Sequence, residues 1–122
     1  MPGVNAHLGQ AEHNLKLYDQ LDKKSFSDWA ATALFYSALH YVDAFIFKTL
    51  NANPSGHANR DQYLNRIAEL KKIRPAYRTL KDSCHNARYV PPTRFTAEEL
   101  TEMRHNDLES IVTQLKVAFD AP

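Results

Sequence analysis

The chain is poor in the residues that most often announce a chemistry. Its single cysteine, Cys84, can form no internal disulfide and cannot anchor a Cys-rich zinc or iron–sulfur site, so a reducing cytoplasm is the expected compartment. Glycine is scarce, three in 122 residues, which excludes collagen-like repeats, glycine-rich loops and flexible linkers. No sign of charge dominates. Fifteen Lys and Arg face fourteen Asp and Glu, and the net charge of +1 excludes a uniformly basic nucleic-acid binder. Trp29–Leu50 is the most apolar stretch, but Ser37, His40, Asp43 and Lys48 interrupt it, and no uncharged run reaches the ~20 residues of a membrane span. Met1–Leu8 lacks the basic and then apolar pattern of a signal peptide, and none is expected. There is no P-loop, dinucleotide fingerprint, GxSxG or HExxH motif.

What is present is helical period and enough apolar residue, 43% against 24% charged, to build a folded core without staples. Asn5 is a candidate cap for a helix to about Leu21, with Leu8, Ala11, Leu15 and Tyr18 at helical spacing. Ser25 and Ser27 are candidate caps for a helix from about Phe26 to Leu50, whose apolar positions nearly encircle the axis as in a central bundle helix. Asn51–Gly56 reads as a loop. A third helix is expected from near Ala58, using Tyr63, Leu64, Ile67 and Leu70. A break near Lys72 would let Pro75 sit in the first turn of a fourth, ending at about Tyr89 before Val90-Pro91-Pro92. Thr96 and Glu99 form a capping box for a fifth helix, with Leu100, Met103, Ile111, Val112, Leu115 and Phe119 on one stripe. Nothing alternates with period two. The expected architecture is all-α, an antiparallel bundle of four to five helices in one domain spanning 1–122.

The near-neutral sum hides a split. Between Arg60 and Arg94 there are nine basic and three acidic residues, a net of +6, against −5 in the rest of the chain. In the fourth helix Ile73, Tyr77, Leu80, Cys84 and Ala87 recur at helical steps as a buried stripe. Arg74, Arg78, Lys81, His85 and Arg88 repeat those steps one residue later. One residue is about 100° of rotation, so a cationic ridge runs beside the seam, suited to tracking phosphates. Arg78 and His85 share a face, about 10 Å apart along the axis. An Arg–His pair suits metal-independent RNA cleavage: the imidazole moves a proton and the guanidinium stabilises phosphate charge. The same pair also fits a solvated surface. His57 and Arg60, at the start of the third helix, are a candidate second phosphate contact or an ordinary helix start. A metal site from His40, Asp43 and His57 lacks any paired-histidine spacing, so no metal and no cofactor is expected. Cys84 on the apolar stripe reads as core, as do Trp29 and the other aromatics of the second helix.

The run Ala11-Glu-His-Asn14, followed by Ser27-Asp-Trp-Ala-Ala-Thr-Ala-Leu-Phe-Tyr-Ser-Ala-Leu-His-Tyr-Val-Asp-Ala44, resembles bacterial HEPN-domain proteins. His57-x-x-Arg60, the Tyr77 to Ala87-Arg-Tyr89 ending of the fourth helix and the long closing helix fit the same likeness, which covers about residues 6–119. The resemblance implies an antiparallel helical bundle, often dimeric. Members are metal-independent RNases of toxin–antitoxin, phage-defence or RNA-processing systems, or non-catalytic nucleotide- or RNA-binding modules, some paired with nucleotidyltransferases. The family's catalytic motif, Arg and then His after four to six residues, falls on Arg78 and His85, with Thr79 where an amide-like or acidic residue often follows the Arg. The leading expectation is therefore a cytoplasmic homodimer that binds RNA or nucleotide through Arg74, Lys81, Arg88, His57 and Arg60 and cleaves RNA with Arg78 and His85. The alternative is a non-catalytic module that dimerises and docks an antitoxin or nucleotidyltransferase. No membrane contact is expected.

Overall fold

A computed structural model describes residues 2–120; positions 1, 121 and 122 of the expected domain lie outside the described residues. The described residues are helical with no strand: α1 (Val4–Gln20), α2 (Ser27–Leu50), α3 (His57–Arg66), α4 (Ala68–Tyr89), α5 (Ala97–Glu102), a π-helical turn (Met103–Leu108) and α6 (Glu109–Asp120).

The near-continuous apolar surface of α2 makes it the axis of the bundle. Leu34, Val42, Phe45 and Ile46 are buried, and the helix packs against α1, α4 and α6. By length and hydropathy alone α2 is apolar enough to cross a membrane, but 78% of its most apolar window is buried inside the bundle. α1 and α4 run antiparallel to it, and the last rod runs parallel to it. His40 and Ser37 meet His7 and Ala11 of α1, and Phe35 and Thr32 meet Tyr77 and Cys84 of α4, whereas Ser27 meets Phe95 and Lys48 meets the Phe119 carbonyl of the last rod. Ile73, Tyr77, Leu80 and Cys84 of α4 enter the core as their spacing requires, and Leu100, Met103, Ile111 and Leu115 close it from the last rod. Truncating such a fully enclosed leucine to alanine costs about 2–5 kcal/mol.

The helix ends differ from the sequence reading in four places. Asn5 lies inside α1, whose cap position is Gly3. Neither Ser25 nor Ser27 caps α2: Ser25 Oγ donates to Asp22 Oδ2, and Ser27 Oγ accepts the Phe95 amide across the bundle. The break expected near Lys72 falls at Ile67, which is extended, so α4 begins at Ala68 and carries Pro75 in its interior. Ile67 and Leu70 both face the core, and an earlier break keeps them there. The closing helix is not continuous. Regular α spacing from Met103 would turn Asn106 or Asp107 inward. The extra residue of the π turn brings Leu108 into the core and leaves Asp107 half-buried at its rim, where burial raises its carboxyl above the usual range. The Thr96–Glu99 capping box forms as expected, with both reciprocal bonds made.

Two backbone positions set the α2–α3 connection. Asn51 ends α2 in the left-handed conformation at φ 52°, which asparagine tolerates. Gly56 precedes α3 at φ +155°, a region L side chains rarely enter. It therefore decides where α3 starts, and with it where His57 and Arg60 stand.

Candidate functional site

On α4 the ridge stands where phasing puts it. Arg74, Arg78, His85 and Arg88 are exposed, and Lys81 is half-buried. The five do not share one environment. Lys81 Nζ is 2.9 Å from Asp61 Oδ2 of α3. Arg88 Nη1 donates to Tyr36 Oη at 2.6 Å, and its guanidinium lies over the rings of Tyr36 and Tyr89. Arg74 and Arg78 carry no ion pair among the described residues.

The ridge borders two cavities. One, of about 220 Å³ between α3 and α4, is lined by Arg74, Arg78 and Lys81 with Asp61 and Asp82. The other, of about 140 Å³ between α2, the start of α3 and the second half of α4, is lined by His57, Lys81, His85 and Arg88 with Tyr36 and Tyr89. Lys81 belongs to both. Arg78 and His85 therefore open onto adjacent cavities separated by one lysine. His57, 28 residues from His85 in sequence, joins it in the second. The His85 ring also lies 5.1 Å from that of Tyr89.

Arg60 departs from the expected surface phosphate contact. It is 7% exposed, and its guanidinium grips Asp43 of α2 at two points, Nε to Oδ1 at 2.7 Å and Nη2 to Oδ2 at 2.9 Å. A lone Asp on a buried helix needs such a partner, because an unpaired charge there is prohibitively desolvated. The third nitrogen, Nη1, faces His57 Nδ1 at 3.4 Å. A guanidinium only donates, so His57 Nδ1 is the acceptor and its proton sits on Nε2. Partial burial, then the charges of Arg60 and Lys81, push the His57 pKa below its ordinary value and favour the neutral ring. Arg60 thus positions His57 rather than facing a ligand itself.

A second histidine cluster lies on the α1 side of α2. His7 and His40 approach through their Nδ1 atoms at 3.3 Å, and His7 Nε2 meets Asn53 Oδ1 at 2.7 Å. Ligand atoms of His7, His40 and Asp43 lie within 4.8 Å of one another. This is not the His40–Asp43–His57 set considered from sequence, since His7 takes the place of His57. The donor chemistry fits an ion poorly: both Asp43 oxygens already accept from Arg60, and a cation would sit beside that guanidinium.

Sequence reasoning read Trp29 and Tyr36 as core, whereas Trp29 is exposed and Tyr36 is half-buried at the cavity with Arg88, and it passed over Asn53 and His7. Tyr36 has a weak signal, as a polar-tipped aromatic on the α2 face opposite Arg88. Asn53, 46 residues from His7 and in a loop, has none. Cys84 is buried, and burial raises its thiol pKa, so it is a core residue and not a nucleophile.

A family model, that of the HEPN domain, matches residues 4–117. A search of the curated proteins and a search of the solved structures each found no match.

Proposed function

This chain belongs to the HEPN domain family, and we propose that it is a single-domain cytoplasmic RNA-binding module, acting as a homodimer, with metal-independent endoribonuclease activity of the toxin–antitoxin or phage-defence kind. Family membership supports a nucleotide-binding or RNase-type module in general, dimeric and directed at RNA. One observation carries the finer reading. His57, Lys81, His85 and Arg88 converge on one cavity, while Arg74 and Arg78, without an ion pair among the described residues, open onto the next. A phosphodiester lying across Lys81 meets two guanidinium groups on one side and two imidazoles on the other.

In this reading Arg78 and Arg74 hold phosphate oxygens by charge-assisted hydrogen bonds, and Arg78 stabilises charge developing on phosphorus. His85 exchanges the proton of the ribose hydroxyl or of the leaving oxygen. His57, held neutral with Nε2–H outward, donates a fixed hydrogen bond. Arg88, steadied by Tyr36, grips a neighbouring phosphate. The test is cleavage of single-stranded RNA in the presence of a chelator. Wild-type protein cuts, His85→Ala abolishes cutting with the thermal transition unchanged, and undiminished cutting by His85→Ala would remove that residue from the site.

The second reading is a binding-only module that docks an antitoxin or nucleotidyltransferase. The ion pair of Lys81 with Asp61 favours it, because it lowers the net positive charge of the ridge centre. RNA bound without any product, and an acidic protein competing for the same ridge, would be its signature.

A further inference from the structure

The Asn53–His7–His40 chain fixes a tautomer. Asn53 Nδ2 donates to the Pro2 carbonyl at 3.1 Å, so its amide cannot flip, and Oδ1 is the atom that faces His7. His7 Nε2–H therefore donates to Asn53, which leaves a lone pair on His7 Nδ1. The 3.3 Å contact between the two Nδ1 atoms then requires His40 Nδ1–H to donate. With one proton on each ring, each step follows from donor and acceptor capacity, and the end of the chain is an imidazole whose free lone pair is on Nε2. His40 is half-buried and lines a groove, and with Nδ1 engaged by His7, Nε2 is the ring nitrogen left for a ligand. Burial, opposed by Asp43, lowers its pKa and keeps the acceptor available at neutral pH.

That groove, of about 460 Å³ between α1, α2 and the end of α4, has three chemically distinct walls. Trp29 presents an exposed indole, 56% accessible, beside Leu17. Arg88 lies at its edge with Nη1 held by Tyr36, which leaves Nε and Nη2 to donate. His40 offers a neutral acceptor. A flat apolar ring, a guanidinium and an oriented acceptor match, in turn, a base, a phosphate and a hydroxyl donor. Arg88 also lines the cavity holding His57 and His85, so the groove continues the site already described.

We propose that this groove holds one ribonucleotide unit, with the base on Trp29, a phosphate on Arg88 and the 2′-hydroxyl donating to His40 Nε2. The inference rests on the RNA-binding reading above and deepens it: it names the feature by which the module tells ribose from deoxyribose, since only ribose carries that donor. Asn53 and His7 are positioning residues acting through His40.

Trp29 is the chain's one tryptophan and lines both this groove and the adjoining cavity with Asp28 and Tyr89, so its fluorescence reports on this end of the bundle and the His40 variant assigns the signal to the groove. The full chain carrying His85→Ala, which leaves RNA uncut, is titrated with a short single-stranded RNA and its 2′-deoxy counterpart, and with adenosine monophosphate and its 2′-deoxy form. Both strands are expected to quench Trp29, with RNA about fivefold tighter, the worth of one net hydrogen bond. His40→Leu brings RNA to the DNA affinity and leaves DNA unchanged. Nitrogen NMR of the imidazoles reads the device in the unaltered protein. His40 is expected as the Nδ1–H tautomer, and Asn53→Leu mixes the tautomers and reduces the preference. A preference in the strand alone, or in the mononucleotide as well, supports the subsite and tells the two sources apart. Equal affinity for ribose and deoxyribose, a preference that survives His40→Leu, or a His40 Nε2–H tautomer overturns it. So does binding without quenching, which is what a second copy sealing the groove produces. If neither strand binds at low salt, the RNA-binding reading falls as well. If both bind equally, only the subsite does.

Discussion

Arg60 and Arg78 are the same residue type on neighbouring helices, and the fold gives them opposite tasks. Arg60 is buried between α2 and α3 with two of its nitrogens on Asp43. Arg78 stands exposed on α4 at the mouth of a cavity with no ionic partner among the described residues. The first region is neutralised: its charges join two helices and aim His57. The second is only partly neutralised, by Asp61 and Asp82, and its guanidinium groups are open to solvent anions. The lesson is that the positive excess of residues 60–94 overstates the charge offered outward. One arginine is used internally, and Lys81 is shared with Asp61.

The sharpest way to break this contrast is to remove one buried partner. Asp43→Ala leaves the Arg60 charge unpaired in the core and is expected to lower unfolding free energy by about 3–5 kcal/mol, read by chemical denaturation. The double variant Asp43→Leu with Arg60→Met should recover most of that loss, because the expense lies in the orphaned charge. If the double variant is as unstable as the single, the pair holds the fold by more than charge balance. Gly56→Ala tests the same region through the backbone. At φ +155° it should cost about 1–3 kcal/mol and move the start of α3, and with it His57.

The exposed region predicts small effects on stability and distinct ones on binding. Arg74→Ala and Arg78→Ala should each leave stability within about 0.5 kcal/mol, weaken RNA binding, and reduce the slope of log affinity against log salt by about 0.7, as expected for one phosphate contact on a single strand. An unchanged slope for both would take the ridge out of phosphate binding. Acidification gives the mildest contrast. Burial lowers the pKa of both His40 and His57 from 6.5. The unfolded chain therefore binds more protons than the folded one as pH falls below 6.5, and stability declines from pH 7 toward pH 5. His57→Asn should flatten part of that decline in a thermal-melt series, and a steeper decline would contradict it.

Helix number and type followed from the 3.6-residue recurrence, and the α4 core stripe of Ile73, Tyr77, Leu80 and Cys84 is the clearest case. Local hydrogen bonds within four residues, such as the Thr96–Glu99 box, were legible for the same reason. The breaks were not. Ile67 and the π turn at Met103–Leu108 are decided by which side chains must reach a shared core, a demand that no local propensity encodes.

The site divides along the same line. Phasing alone puts Arg74, Arg78, His85 and Arg88 on one ridge, because a helix converts sequence steps into angles. Spacing along one helix could not say that Asp43 captures Arg60, that His57 joins His85 at one cavity, or that Asn53 reaches His7 across 46 residues. Those pairings join separate helices and a loop. Their partners are chosen by desolvation, which makes each buried charge or polar atom find whatever complement the packed chain brings within reach. Sequence thus determined the helices and the face that carries the charge. Tertiary packing decided which of those charges remain free to meet a ligand.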